Sequence, residues 1–318
     1  MSAGPELLIL AGGMGSRYKG LKQLDEFGPN GESLMEYSLF DAKRAGFSRV
    51  IFLIREEVFN LLREKILVPY ADLIEMDVAF QKLDDLPENF TPPETREKPW
   101  GTGQAVWSAR HHITKPFAVI NADDFYSPQA FEKLSKFLMH LPNDSSSFGL
   151  VAYELGGTLS DQGCVNRGII KTKEGLLVSV EEKLGIEKLG AKKSDAENLS
   201  NKNQVEGPNY ATVAQSETRL ELSDLVSVNC WAFSPKIFSL LEKDFVGFLK
   251  AEGDQLKSEF FLPTVLDLAV NQDQAQVEVM TTTGKWMGVT YPTDKEEVVA
   301  QLAKMHKETV YPPNLKRY

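Results

Sequence analysis

At 318 residues the chain is long enough for one large α/β domain or two small ones, and at 42% hydrophobic and 10% aromatic it suits a packed core rather than a disordered tail. Lys and Arg number 35 against 45 Asp and Glu, a formal net charge of −10, which weighs against a surface that coats nucleic acid or anionic lipid but leaves room for a local basic pocket. Cys164 and Cys230 are the only cysteines, so neither a disulfide framework nor a zinc-knuckle spacing is present.

Apolar runs alternate with helical patterns through the first half. "LLILA" (7–11) reads as a buried strand, and "ESLMEYSLFDAKRAG" (32–46) as a helix ended by Gly46. "RVIFLI" (49–54), helical "EEVFNLLREKIL" (56–67) and strand-like "IEMDVAFQ" (74–81) follow. Next come helical "GQAVWSARHHI" (103–113) and the strand "PFAVINADD" (116–124). A helix over 127–141 has Ser127 at its N-cap and Pro128 at its first turn, and "FGLVAYEL" (148–155) is the next strand. His111 and His112 are neighbours, about 100° apart on a helix, and so poorly placed as joint metal ligands.

The second half is less regular. "GIIKTKEGLLVSVEEK" (168–183) reads as two strands around a Lys-Glu-Gly turn. Residues 184–223 are polar without clear periodicity and are expected to form a mobile insertion. "LVSVNCWAF" (225–233) is a strand, helices are expected around 235–249 and 258–270, and the chain closes with a strand near "KWMGV" and a helix entered at Pro292. Strands alternating with helices imply βαβ units, hence a Rossmann-like mixed, mostly parallel sheet with helices on both faces. No repeat or linker divides the chain, so a single domain over 1–318 is expected. Its regular first half would cover about 1–125, and its less regular second half about 126–318.

The apolar runs fall far below the ~18 residues that span a bilayer. The N-terminus lacks the basic start and long apolar core of a secretory signal, so a cytoplasmic location is the expectation.

In "LLILAGGMGSRYKGLKQL" (7–24), Gly12, Gly13 and Gly15 allow a sharp turn that brings backbone N–H groups against an anion, with Arg17 and Lys22 just beyond. The P-loop pattern fails, since Lys-Ser/Thr does not follow the last glycine. The dinucleotide fingerprint fails because Tyr18 stands where its third glycine belongs. Ligands of such sheets bind outside the carboxyl ends of the strands, where this loop and "NADD" (121–124) both fall.

A strand followed by A-G-G-x-G-S-R and then Lys-Gln resembles the sugar-phosphate nucleotidyltransferases, also called nucleotide-sugar pyrophosphorylases. "GTGQA" (101–105) looks like the "GTGHA" stretch of N-acetylglucosamine-1-phosphate uridylyltransferases, and Gln81 matches that family's base-reading glutamine. The resemblance implies a fold of the nucleotide-diphospho-sugar transferase type, with a nucleotide-binding half over about 1–125 and a sugar-phosphate-binding half over about 126–318. It also implies a nucleotide site of Ala11, Gly12, Gly13, Gly15, Ser16, Gln81, Gly101 and Thr102, with catalytic Arg17, Lys22 and Asp123. Asp123 would bind Mg²⁺ with Asp124 as helper. "VEEKLG" (180–185) is similar to the family's Glu-Lys-Pro motif, which implies Glu182 on sugar hydroxyls and Lys183 on the sugar phosphate. Gly168 and Asn229 match sugar-facing positions.

One position departs from the pattern. Where the family has Trp-x-Asp-Val-Gly, the chain reads "KWMGV", and Gly288 replaces the second metal-binding aspartate. Metal coordination would then lean on Asp123 and Asp124, on Glu259 or Asp294, or on substrate phosphates.

The implied partners are a nucleoside triphosphate, UTP or dTTP, and a sugar-1-phosphate. Neither nucleic acid nor membrane is expected as a partner, and homo-oligomerisation is left open. Two other readings stay open: a nucleotidyltransferase with a non-sugar phosphate acceptor, and a non-catalytic nucleotide-sugar-binding regulator. A dehydrogenase is disfavoured by the missing third glycine.

Overall fold

The computed structural model describes residues 4–13, 24–188, 210–213 and 219–317. Strand β1 (Glu6–Leu10) is apolar on both faces because it is central: β2 (Arg49–Ile54) and β4 (Phe117–Asn121) pair with it in parallel on either side. β3 (Glu75–Phe80) extends the parallel set beyond β2. The helices between them are α1 (Leu34–Arg44), the short α2 (Phe59–Leu62), whose turns run on to Leu67, and α3 (Thr102–Ser108). At the start of α1 the Glu36 carboxylate accepts the Ser33 N–H at 2.5 Å, so the first turn is closed by its own sequence. α3 stops five residues short of the helix expected to 113; turns follow Ser108.

After the short β5 (Asp124–Phe125) and α4 (Pro128–Leu138), the chain adds β6 (Ser147–Glu154), β7 (Val165–Lys173) and β8 (Leu176–Lys188). β9 (Tyr210–Val213) and β10 (Arg219–Glu221) pair in turn outside β8. The described parts of the expected insertion include strands: β8 continues to Lys188, and β9 and β10 fall within 184–223. Residues 189–209 and 214–218 lie outside the described residues. The expected strand over 225–233 is two strands, β11 (Leu225–Ser227) and β12 (Trp231–Phe233). They are separated where Asn229 takes a left-handed φ of 63° that no regular strand accommodates.

The chain closes with α5 (Ile237–Glu252), α6 (Leu262–Asn271), β13 (Gln276–Thr281), β14 (Met287–Gly288) and α7 (Asp294–Lys307). β13 lies parallel to β6 and was not anticipated, although "QVEVMT" alternates Val277 and Val279 with polar residues.

The sheet is mixed, with parallel strands at its core, and helices cover both faces. Leu7 and Ile9 belong to the core layer that also holds Leu34, Leu134 and Leu302, from α1, α4 and α7. Leu8, between them, belongs to the layer with Val106, Phe245 and Leu266, from α3, α5 and α6. Alternate residues of one strand thus anchor opposite layers.

Candidate active site at a fork in the sheet

β11 and β12 lie in turn along one edge of β6. On their far side β12 pairs with β4, whereas β11 pairs with β7. The sheet forks between β4 and β7, and Asn229 occupies the bend. The fork opens a cleft of about 330 Å³, a size suited to a small polar ligand. Its lining brings together Thr102, Asp123, Asp124, Gly168, Glu182 and Asn229, all expected site residues, from segments far apart in the chain.

A chain of amides fixes the floor. Asn229 Nδ2 donates to Asn121 Oδ1 at 2.7 Å, and Asn121 Nδ2 donates to Asp124 Oδ2 at 2.9 Å. The buried Tyr126 hydroxyl accepts the Asn121 N–H at 3.0 Å and lies 2.9 Å from the Val228 carbonyl and 3.1 Å from Asp124 Oδ2. Burial, with Asp124 nearby, pushes the Tyr126 phenol far above its usual range, so it stays a neutral hydroxyl. The left-handed backbone at Asn229 is held by these bonds from both sides.

Gly288 faces this floor. β14 pairs with β5 so that Gly288 stands opposite Asp124. A Cβ added at 288 would fall 2.4 Å from Trp286 Cη2 and 2.8 Å from Asp124 Oδ1. The indole of Trp286 therefore fills the space a side chain at 288 would need. Over that indole sits Arg167, its guanidinium carbon 4.8 Å from the ring centroid. Arg167 Nη2 donates to the Thr158 carbonyl at 2.5 Å and Nη1 to the Asn166 carbonyl at 2.7 Å. Glu182, near Arg167, has its pKa raised because the surrounding protein displaces solvent from the carboxylate, an effect that Arg167 opposes.

A second cavity, of about 380 Å³, lies at the carboxyl end of β3 and is lined by Gln81, Lys82, Glu97 and Gln104, among others. Gln104 is fully buried. Its Nε2 donates to the Lys82 carbonyl at 2.9 Å and to Ser108 Oγ at 3.0 Å. A carbonyl only accepts, so the amide orientation of Gln104 is determined, and its Oε1 accepts Gln81 Nε2 at 2.7 Å. Gln81 Oε1 is thereby turned toward Gly12, where a Cβ would lie 2.5 Å from it. Gly12 is needed for that close approach.

Of the expected nucleotide residues, Ala11 is buried, its N–H bonded to the Leu53 carbonyl at 2.8 Å, and Gly13 is exposed at the end of the described loop. Gly15, Ser16, Arg17 and Lys22 lie outside the described residues. Gly101, with φ +104°, and Gly103 are packed under the 260 segment: a Cβ at 101 would meet the Phe260 carbonyl oxygen at 2.7 Å, and one at 103 its ring at 2.6 Å. Thr102 Oγ1 accepts the Leu262 N–H at 3.0 Å. The two glycines of the "GTG" stretch thus serve a tight junction, and Thr102 is its member that reaches the cleft.

Lys183 is not among the residues lining the cleft; its ammonium pairs with Glu181. The two substitute carboxylates are engaged elsewhere. Glu259 pairs with Lys98 at 3.0 Å, and Asp294 accepts from Ser160 and from the N–H groups of Thr290 and Tyr291. Sequence reasoning missed Asn121, Arg167 and Gln104. Asn121 and Gln104 sit inside quoted motifs and were legible there. Arg167 precedes the noted Gly168, but no spacing marks it.

Among the described residues no group of three or more His, Cys, Asp or Glu side chains is arranged around a common point. The fit for Mg²⁺ therefore rests on Asp123 and Asp124, which line one cleft, together with ligand phosphates. One or two carboxylates plus phosphate oxygens are a usual Mg²⁺ donor set, so the residues fit the ion. Among the described residues no helix is long and apolar enough to cross a membrane.

No family model matches the chain, and no curated protein is similar to it in sequence. Solved structures are similar in fold. The inositol-1-phosphate CTP transferase from T. maritima superposes with a TM-score of 0.61 at 15% identity, covering 96% of this chain and 97% of that one. A proposed glucose-1-phosphate thymidylyltransferase from Bacillus anthracis, in complex with a sucrose, gives 0.61 at 11% identity over 98% of both chains. A UDP-glucose pyrophosphorylase complexed with UDP-glucose gives 0.58 at 15% identity, over 94% of this chain and 98% of that one. Over nearly its whole length, this chain has the fold of the nucleotide-diphospho-sugar transferases.

Proposed function

We propose that the protein transfers the nucleotidyl group of a nucleoside triphosphate, UTP or dTTP, to a sugar-1-phosphate or a closely related phosphorylated alcohol, releasing pyrophosphate. The observation that carries this reading is the forked cleft. Asp123 and Asp124, at the carboxyl end of β4, line it together with Gly168, Glu182 and Asn229 from the second half of the chain. Structural neighbours named as nucleotidyltransferases support the same class.

In this reaction a phosphate oxygen of the acceptor attacks the α-phosphorus, and the bond from that phosphorus to the bridging oxygen of the pyrophosphate breaks. A phosphate monoester has a second pKa near ~6, so the attacking group is largely ionised at neutral pH and needs no general base. The demand is electrostatic: two polyanions must meet, and the leaving pyrophosphate must be stabilised. Asp123 and Asp124 would hold Mg²⁺, which supplies positive charge to the phosphates when bound. The glycine loop would cradle the triphosphate, with Arg17 and Lys22 neutralising it. Gln81 would meet the base, presenting an acceptor oriented by Gln104. Glu182 and Asn229, which line the cleft, would take the sugar hydroxyls. We place the reaction in the cytoplasm.

The test is pyrophosphate release with Mg²⁺, screening UTP, dTTP, CTP, GTP and ATP against sugar-1-phosphates, inositol-1-phosphate and phosphorylated amino alcohols. One productive pair, lost in Asp123→Asn, is the expected result. Silence across the panel, with nucleotide-sugars still binding in a calorimeter, would favour the regulator reading, for which Gly288 is the observation.

A further inference from the structure

The expected cation of the acceptor cleft, Lys183, is directed to Glu181 instead. Among the described residues lining the cleft, the sole lysine or arginine is Arg167. We propose that Arg167, seated on Trp286 in the space that Gly288 leaves, is the residue that anchors the acceptor's phosphate. This assignment rests on the transfer reading above and deepens it.

Two backbone carbonyls hold the tips of the guanidinium, at Thr158 and Asn166, and its face lies over the indole. Its Nε is nevertheless buried without a partner, and so is Nε1 of Trp286 beneath it. Guanidinium and indole N–H groups can only donate. Those two donors are sealed from solvent, but each Nη carries a second N–H beyond the one its carbonyl accepts, and a ligand rich in acceptors and without donors can take these at the cleft. A phosphate is such a ligand, and Arg is well shaped to bind one.

Asp124 and Glu182 are the carboxylates that act electrostatically on Arg167, and with Asp123 they leave the described lining of the cleft acidic. A phosphate entering that lining needs a cation fixed inside it. Preorganisation comes from the two carbonyl bonds and the ring, which leave the guanidinium few alternative positions.

Any side chain at 288 would collide with the Trp286 ring, so the glycine at 288 and the seating of the indole under Arg167 are one structural feature.

The test is the split between the two substrates' KM values, measured on the full chain with the productive pair found above. Arg167→Met keeps the stem and removes charge and donors. It is expected to raise the acceptor KM by at least about tenfold, in line with losing a charged hydrogen bond, while the nucleotide KM moves less than about twofold. Arg167→Lys is expected to recover part of the loss. Trp286→Phe keeps a ring but shrinks the surface under the guanidinium, and is expected to raise the acceptor KM a few-fold. Calorimetry with the sugar-1-phosphate and its unphosphorylated parent sugar provides the readout besides turnover: the preference for the phosphorylated form should collapse in Arg167→Met. An unchanged acceptor KM and an unchanged preference in a variant that melts like wild type would overturn the proposal. A wild-type protein without transfer activity would overturn the transfer reading. The calorimetric preference would then decide the role of Arg167 by itself.

Discussion

The two cavities at the carboxyl edge of the sheet are built on different principles. The one at Gln81 is set by neutral groups in series, from Ser108 and the Lys82 carbonyl through Gln104 to Gln81. The forked cleft is set by charge: Asp123, Asp124, Glu182 and Arg167 around two asparagines. A neutral relay fixes which atom faces a ligand, and so suits discrimination between bases. A charged cleft fixes where phosphate and metal sit, and so suits chemistry. If that division holds, changes in the first cavity should move nucleotide selectivity, and changes in the second should move turnover and acceptor affinity.

The largest expected effect is in the cleft. Asp123→Asn should lower turnover by about 10²–10³-fold, as does loss of one preorganised electrostatic contact, with no loss of thermal stability. Near-normal turnover in that variant would break the comparison at once.

Gly288→Asp is the next test. Placing a carboxylate there forces the Trp286 ring aside, and overpacking of this kind costs about 1–3 kcal/mol of stability. Thermal melting should show the loss, and adding Trp286→Ala should restore much of it. A single variant that melts normally would mean the indole is not confined as described.

In the other cavity, Gln104→Leu leaves the Lys82 carbonyl without that donor and removes the acceptor of Gln81 Nε2. A stability loss of about 1–3 kcal/mol should follow. With the amide of Gln81 released, discrimination between uracil or thymine and cytosine triphosphates should weaken, while turnover with the preferred nucleotide changes less. A fall in turnover with selectivity intact would contradict the division of labour.

The smallest effect concerns Glu182. Its folded-state pKa is raised by desolvation, so the folded protein binds this proton more tightly than the unfolded chain. The associated stability is present below the unfolded carboxylate pKa and is lost as pH rises through the folded one. Glu182→Gln should therefore melt slightly higher than wild type near pH 8, with the gap closing toward pH 4. Solvent reaches this side chain in the open cleft, so the difference should be small. The same variant should bind the acceptor more weakly.

Legibility in the sequence follows how each half is assembled. β1, β2 and β4 are near-continuous apolar runs because both faces are covered, while β3, at the sheet's edge, carries Glu75 and Asp77; each is joined to the next through a local helical segment. A reading of periodicity finds β1, β2 and β3 within one residue at each end and overruns β4 by three. Asp123 and Gln81 were legible as residues at strand ends. The second half is made by pairings distant in sequence, and those leave little local trace. The break at Asn229 that splits an apparent strand is a backbone conformation maintained by Asn121, 108 positions away. Strands β9 and β10 are four and three residues long, too short to show a periodicity. The direction of Lys183 depends on the adjacent Glu181, and the seating of Arg167 on Trp286 depends on the absence of a side chain at 288. "GTG" shows the converse: a recognisable motif whose glycines are explained by the packing of Phe260.

The most direct test of the central claim follows the α-phosphorus itself. Wild-type protein would be incubated with Mg²⁺, a sugar-1-phosphate and a nucleoside triphosphate labelled at the α-phosphorus, and the products separated. The account predicts label in a nucleotide-sugar, with unlabelled pyrophosphate in equal amount, and neither product from Asp123→Asn. Label recovered only in unreacted triphosphate, or in free nucleoside monophosphate, would contradict it.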